Sequence, residues 1–197
     1  MHSFCATDLS QFYLNVCKDR LYTDLPDSRD RRSAQTTLWN ILQALVRMVA
    51  PVLTYTSEEI WQHLRDRQPD MRESVQLADW PVVDEDIHNE DRLQRWDRFL
   101  QIRRQAMNAL EEAKNSGECD NPLEARLIIY ENEETREFLE SFENLKGLMI
   151  VSVVELRPLS QAPGEVEGDI AIVAEKNRGE KCDRCWMRLD SVNTHPV

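Results

Sequence analysis

The sequence has few residues of the types that build a catalytic site. Its five glycines, at positions 117, 147, 164, 168 and 179, form no loop that could cradle a phosphate group. The four histidines are scattered at positions 2, 63, 88 and 195, and none belongs to an HExxH or nucleophile-elbow motif. Carboxylates are plentiful, but they lie on predicted helix faces, where solvation explains them. We therefore expect this chain to bind and not to catalyse.

The sequence also lacks a long apolar run and an even set of cysteines. No apolar stretch approaches the roughly 20 residues that a helix needs to cross a bilayer, and Met1–Ser10 does not have the pattern of a signal peptide. The cysteines number five, an odd count, with no disulfide-like spacing: Cys5, Cys17, Cys119, Cys182 and Cys185. These features predict a reducing, cytoplasmic setting with no membrane partner, in which the cysteines are thiols or metal ligands.

Positive charge is scarce overall, but it is unevenly distributed. The net charge is −12, which by itself argues against a nucleic-acid partner. The first 60 residues carry six basic and seven acidic groups, so almost all of the excess negative charge follows them. Two interpretations stay open for the basic residues around the first predicted helix turn. They form either a phosphate-contacting patch or a solvated face interleaved with aspartates, and the residues that a helix–helix loop could gather are Arg20, Arg29, Arg31 and Arg32.

Helical periodicity dominates the first part of the chain. Apolar residues recur at helical spacing within 8–22, from about Ser28 to Pro51, from a predicted capping box at Thr56 to about Asp66, and over about 90–113. The last of these segments places Leu93, Trp96, Leu100, Met107 and Leu110 on one face. None of the four segments is apolar all round, so we predict a mainly α fold in which they form a helical bundle.

The pattern changes after residue 113. The segments 123–130, 148–156 and 168–175 are rich in β-branched residues and have the length of strands, and a helix-like segment at 133–142 separates the first two. This predicts a small α+β subdomain. The tail from Asn177 has no periodicity, and only its two cysteines could organise it. We therefore predict three domains, at 1–113, 114–176 and 177–197.

The strongest motif is the Cys-x-x-Cys pair at Cys182 and Cys185. Two cysteines at this spacing can bind one Zn²⁺, and basic Lys181 and Arg184 beside them favour the thiolate form. A redox dithiol and a chance pair are the alternatives. His195 is a candidate third ligand, although a histidine before a proline in a polar tail is more often simply exposed. Trp186 follows the pair, and we expect it either to stack on an unpaired base or to pack over the cysteine turn.

Four segments together resemble one family in their order. The segments "DLSQFYLNVCKDRLY", "RRSAQTTLWNILQALVRMVAPVLTYTSEEIW", "ESVQLADWP" and "KCDRCW" are similar to the C-terminal part of bacterial-type isoleucyl-tRNA synthetases. The segment "NPLEARLIIY" is similar to a further family segment, although Asp120, Asn121 and Pro122 depart from it. Valyl-tRNA synthetases share the bundle but usually end in a coiled coil, so residues 180–186 distinguish the two.

The resemblance implies an anticodon-binding helical domain, a small connecting piece and a zinc-binding tail. It implies base contacts from Arg184 and Trp186, and Cys182 and Cys185 as zinc ligands. The basic residues that it implies as contacts to the RNA backbone are Lys18, Arg20, Arg31 and Arg32. A second cysteine pair follows in the family, so the resemblance implies only half of a zinc site here, with weak binding. The implied partner is the anticodon stem-loop of tRNA(Ile), bound by a monomer.

The same resemblance implies that ATP-dependent charging and the editing of valine belong to other parts of a longer ligase, namely its catalytic and editing domains. One methylene group gives too little discrimination in a single pocket, which is why such editing is needed. Two interpretations without RNA stay open beside it. These are a helical module for protein–protein contacts and a small redox protein that uses Cys182 and Cys185.

Overall fold

Helices predominate in the computed structural model, which describes residues 1–83, 89–164, 168–183 and 185–192. The mainly α expectation is confirmed. The chain divides into two units, Met1–Asn89 and Glu90–Val197. No described helix combines the length and the low polarity that a membrane span requires.

The first unit begins with the predicted helix, which starts earlier than expected. It runs as a π-helix over Phe4–Tyr13 and as α1, Leu14–Val16, and α2, Lys18–Tyr22. The long helix α3 follows at Arg29–Val49, as predicted. Ser28 caps it, because the Ser28 Oγ accepts a hydrogen bond from the Arg31 amide at 3.5 Å.

Helix α4 spans Thr54–Arg65, and its predicted capping box is wrong. The helix starts two residues before Thr56, since α3 ends just ahead of Pro51 and the connecting turn is short. The Thr54 hydroxyl instead donates to the Ala50 carbonyl at 3.1 Å. Thr56 is therefore inside the helix and cannot act as its cap.

The segment predicted as a polar loop after α4 contributes to the core of the first unit. A short 3₁₀ helix, Val75–Leu77, places Val75 beside four other buried residues: Val46, Ala50, Trp61 and Leu64. The Glu58 carboxylate anchors this turn by accepting hydrogen bonds from the Ser74 hydroxyl at 2.7 Å and the Val75 amide at 3.0 Å. Burial raises the pKa of the Glu58 carboxyl, and the hydrogen bonds lower it. The hydrogen bonds together outweigh burial, so the pKa lies below its ordinary value.

In the second unit, helix α5 spans Glu90–Asn115, close to its predicted bounds, but its buried face is different. The buried residues are Phe99, Ile102, Ala106, Ala109, Leu110 and Ala113, so Leu110 is the only fully buried member of the predicted face. Leu93 is 48% exposed. Alanines allow a helix to approach a sheet closely, and α5 packs on strand β3, Ile170–Lys176. Helix α5 is grouped with the second unit, and its membership of the helical bundle stays a prediction.

The second unit contains a three-stranded sheet in the order β2-β1-β3. The central strand β1, Ala125–Glu131, pairs in parallel with β2, Val153–Pro158, and antiparallel with β3. Helices α6, Glu133–Glu140, and α7, Leu145–Met149, connect β1 to β2. The strand predicted at 148–156 thus begins later, because α7 occupies its first residues and Ile150 turns the chain at φ 59°.

The tail after Asn177 is more organised than expected. Glu180–Lys181, β4, pairs antiparallel with Arg188–Leu189, β5, to form a hairpin in the described part of the tail. The prediction that only the cysteines could order this segment is wrong, since backbone pairing does so. The predicted divisions at 113/114 and 176/177 differ from the boundary between the two units. As limits of independent domains, they stay predictions.

Candidate nucleic-acid interface

The loop of the hairpin, residues 182–187, carries the cysteine pair and the tryptophan. The Cys182 amide donates to the Met187 carbonyl at 2.9 Å, which continues the pairing of β4 with β5. The Trp186 amide donates to the Cys182 carbonyl at 2.8 Å and closes a tight turn inside the loop. The backbone therefore brings Cys182, Cys185 and Trp186 together on one short loop.

Trp186 is the aromatic residue of this loop, and its side chain is exposed. It is 58% exposed and has a φ of 64°, a left-handed conformation that bulky residues adopt rarely. Because most of its surface is open to solvent, packing over the turn accounts for only a minor part of it. An exposed indole on a closed turn can offer its flat face to a nucleobase.

Cys182 and Cys185 are both half-buried, and in the described structure neither takes part in a disulfide. They supply two sulfur donors, whereas a structural zinc site uses four ligands. Across the described ranges, no group of three or more metal-binding side chains occurs. Arg184 and His195, which were predicted as a base contact and a candidate ligand, lie outside the described residues.

Lys181 makes a contact that its position beside Cys182 did not predict. Its ammonium nitrogen lies 2.7 Å from Glu124 Oε1, so its charge is directed toward that carboxylate. Arg188 also contacts Glu124, with Nε 2.8 Å from Oε2. These hydrogen bonds from Arg188 and Lys181 hold the pKa of the Glu124 carboxyl at about 2, below its ordinary 4.5.

The four basic residues predicted in the first unit differ in their surroundings. Lys18 and Arg32 are exposed, while Arg20 and Arg31 are half-buried. Arg20 lies in the last turn of α2, and Arg31 and Arg32 lie in the first turns of α3, which packs against α2. Arg20, Arg31 and Arg32 thus lie in the turns next to the connection of the two helices, and Lys18 begins α2.

Arg31 has a structural contact that its sequence position did not reveal. Its Nη1 donates to the Asp24 carbonyl at 2.9 Å, and the Ser28 hydroxyl donates to the Asp24 carboxylate at 3.1 Å. Both bonds stabilise the turn between α2 and α3. A guanidinium carries five N–H donors, so this single bond leaves Arg31 able to contact a phosphate as well.

Sequence reasoning missed Glu124, Ser152 and Asn177, which hold the hairpin. The partners of Glu124 in the hairpin, Lys181 and Arg188, follow it by 57 and 64 residues, and no local pattern connects positions so far apart. The segment around Glu124 was predicted as a strand and as similar to a family segment, and neither observation indicated this contact. The sequence held no other signal for this contact.

The comparisons with known proteins agree on one family. A family model described as the anticodon-binding domain of tRNA ligase matches residues 1–129. The whole chain aligns with isoleucine–tRNA ligases, at 44% identity for that of Natranaerobius thermophilus and 44% for that of Thermoanaerobacter sp. strain X514. The protein of Moorella thermoacetica is 39% identical. The chain spans only 21–22% of the length of these relatives.

Proposed function

The chain belongs to the family of anticodon-binding domains of tRNA ligases, and from this premise we propose that it binds the anticodon stem-loop of tRNA(Ile). Its relatives are named isoleucine–tRNA ligases, which favours isoleucine over the valine alternative. The activation of isoleucine with ATP, its transfer to tRNA and the hydrolysis of mischarged valine are proposed for the catalytic and editing domains of a longer polypeptide. We propose that this polypeptide acts in the cytoplasm as a monomer.

The exposed indole of Trp186 is the observation that carries the proposal. Unpaired anticodon bases present flat faces, and stacking on an aromatic side chain contributes roughly 1–3 kcal/mol per base. The closed turn that carries Trp186 holds its backbone in one conformation, which lowers the entropy lost when a base is bound. We propose that Arg184 contacts a neighbouring base or phosphate.

The basic residues of the first unit are proposed as contacts to the RNA backbone. Lys18 and Arg32 have exposed side chains, and Arg20 and Arg31 lie at the same junction of α2 and α3. Phosphate contacts give affinity without sequence preference, and they weaken as salt competes for the same charges. The acidic remainder of the chain repels RNA and so restricts where it can approach.

We propose further that Cys182 and Cys185 are two of the ligands of a structural Zn²⁺. When bound, the metal would cross-link the loop at its two sulfurs and stiffen the turn. Two thiolates hold zinc weakly, so this chain is expected to bind it with low affinity. A titration with Co²⁺ in place of Zn²⁺, followed by its visible absorption spectrum, tests this proposal. Cys182→Ser should abolish the spectral signal, and Cys119→Ser should not. Equal signals in both variants would exclude the pair.

The stacking proposal is tested by titrating a fluorescently labelled tRNA(Ile) anticodon stem-loop at low and high salt. We expect salt-sensitive binding that weakens about tenfold in Trp186→Ala, in line with the loss of one stacked base. Trp80→Ala is the matched control, since Trp80 is also an exposed indole, at 61%. A stem-loop with a valine anticodon measures selectivity. Unchanged affinity in Trp186→Ala would refute the base contact.

The remaining alternatives predict other outcomes of this titration, and the redox alternative also predicts the outcome of an alkylation assay. A module for protein–protein contacts would bind neither stem-loop at any salt concentration. A valine-specific domain would prefer the valine anticodon. A redox protein would bind no RNA. Its Cys182 and Cys185 would react rapidly with an alkylating agent below the pH at which ordinary thiols react.

A further inference from the structure

Glu124 lies at the base of the described hairpin although it belongs to a different part of the chain. It ends the 3₁₀ turn Pro122–Glu124, which leads directly into the central strand β1. That strand is buried along almost its whole length, and Leu127 and Ile129 are inaccessible to solvent. Glu124 is therefore attached to the most buried of the described strands.

The two oxygens of the Glu124 carboxylate contact opposite strands of the hairpin. Oε1 lies 2.7 Å from Lys181 Nζ on β4, and Oε2 lies 2.8 Å from Arg188 Nε on β5. Lys176, at the end of β3, contributes a longer contact of 3.8 Å. Lys181 immediately precedes Cys182, and Arg188 follows Trp186 by two residues. One carboxylate thus spans the base of the loop that carries the indole.

A second set of bonds reinforces this arrangement. The buried Ser152 hydroxyl donates to the Leu123 carbonyl at 2.5 Å and accepts from the Arg188 amide at 2.8 Å. The Asn177 amide donates to the Glu124 carbonyl at 2.9 Å, and its side chain donates to the Arg188 carbonyl at 2.7 Å. The side chain and the backbone of Glu124 are therefore both tied to the hairpin.

We propose that Glu124 is a positioning residue for RNA binding, whose carboxylate holds the hairpin so that its loop presents Trp186 to an unpaired base. The inference rests on the proposed function, since it concerns how the same site is held. A two-residue pairing such as β4 with β5 has little stability of its own. Without the carboxylate, the hairpin would have to be ordered by the RNA, and that ordering would reduce affinity.

The direction of the effect separates positioning from simple electrostatics. A carboxylate near RNA repels phosphates, so its neutralisation should tighten binding if charge alone mattered. Positioning predicts the opposite sign. Glu124→Gln removes the charge and retains the shape, so the two explanations give opposite changes in one measurement.

The experiment titrates the whole chain and its variants with the labelled anticodon stem-loop. Glu124→Gln should bind about tenfold more weakly, whereas Glu175→Gln should bind no more weakly than the original chain. Glu175 is a matched control because it is a carboxylate of the same sheet, on β3, paired with Arg126 at 3.7 Å. Unchanged or tighter binding in Glu124→Gln would overturn the inference.

A second variant covers the case in which Glu124→Gln does not fold. Glu124→Asp keeps the charge and shortens the side chain by one methylene, so it should also weaken binding if distance is what matters. Hydrogen exchange gives the readout of position: amides of 180–189 should exchange faster in both variants, and those of β1 should not. Weakened binding without faster exchange in the hairpin would contradict positioning.

A double substitution distinguishes this inference from the proposed function. If Glu124 acts through the indole, Glu124→Gln should weaken binding much less in a Trp186→Ala background than in the original chain. If Trp186→Ala alone has no effect, the proposed base contact fails. If Trp186→Ala weakens binding and Glu124→Gln does not, only the positioning role fails.

Discussion

Gly179 lies against the backbone of Leu189, where the two ends of the hairpin meet. A Cβ added to Gly179 would come within 2.7 Å of the Leu189 carbonyl carbon and 2.9 Å of its nitrogen. Real Cβ atoms do not approach backbone so closely, so this position requires glycine for steric reasons. The Arg188 guanidinium donates to the Gly179 carbonyl at 3.1 Å and holds the same contact.

Gly179→Ala should therefore displace the hairpin without unfolding the sheet. We expect faster hydrogen exchange in 180–189 and weaker binding of the stem-loop, because the methyl group pushes β5 away from Gly179. Peptides from β1 serve as the internal control. If exchange in the hairpin were as slow as in the original chain, the close approach of Gly179 to Leu189 would not control the position of the hairpin.

Ser152→Ala should reduce the stability of the second unit. Ser152 is only 1% exposed, and its hydroxyl forms hydrogen bonds with both the Leu123 carbonyl and the Arg188 amide. Its removal leaves polar groups without these bonds, at a cost of about 1–3 kcal/mol in the free energy of unfolding. Urea denaturation followed by circular dichroism measures the change. Ser160→Ala, on the surface, should change it by less than about 0.5 kcal/mol.

Arg136→Met should be strongly destabilising at neutral pH. The Glu131 side chain is inaccessible to solvent, and Arg136 lies 2.8 Å from its Oε1. Burial raises the pKa of Glu131, and Arg136 opposes this rise. Without the arginine, a buried carboxylate is left uncompensated, which costs about 3–5 kcal/mol in the free energy of unfolding.

The pH dependence of that loss has a definite sign. A carboxyl whose pKa is raised in the folded state favours folding when it is protonated, so the deficit of Arg136→Met should shrink as the pH falls. Arg98→Met is the control, because its pair with Glu134 at 3.0 Å is largely exposed and should contribute less than about 1 kcal/mol. A deficit that grows in acid would contradict the assignment.

Acid should release the hairpin before the sheet unfolds. The pKa of Glu124 is about 2 in the folded chain and ordinarily 4.5, so its stabilising effect is complete above 4.5 and is lost as the pH falls toward 2. Hydrogen exchange of 180–189, corrected for the intrinsic rate at each pH, should show this loss. Glu124→Gln should lack the transition, since its side chain has no carboxyl group to protonate. The same transition in that variant would assign it to another group.

Several elements were predictable from the sequence because their causes are local. Ser28 was expected to start a helix and caps α3. The run of apolar residues within 123–130 was expected to be a strand, and it forms the central strand β1. Apolar spacing within 8–22 indicated the first helix, and the buried Cys17 lies between α1 and α2. Each of these patterns depends on residues a few positions apart.

Other elements were mispredicted because a local pattern supported two structures. Residues 148 and 149 were predicted as the start of a strand, yet they belong to helix α7, which Asn144 caps by accepting a hydrogen bond from the Gly147 amide at 3.1 Å. Half of the buried residues of α5 are alanines, which contribute little to a hydrophobic periodicity. Larger residues such as Leu93 therefore directed the prediction to a different face.

By itself, the sequence determined where most helices and strands lie and which motif the tail carries, since helix caps and apolar periods act within one or two turns. Only the tertiary structure decided which partners those elements meet: α5 packs on β3, Trp186 stays exposed, and Glu124 joins a hairpin 57 residues further along. Such contacts depend on the free energy of packing distant segments together, which neighbouring residues do not encode.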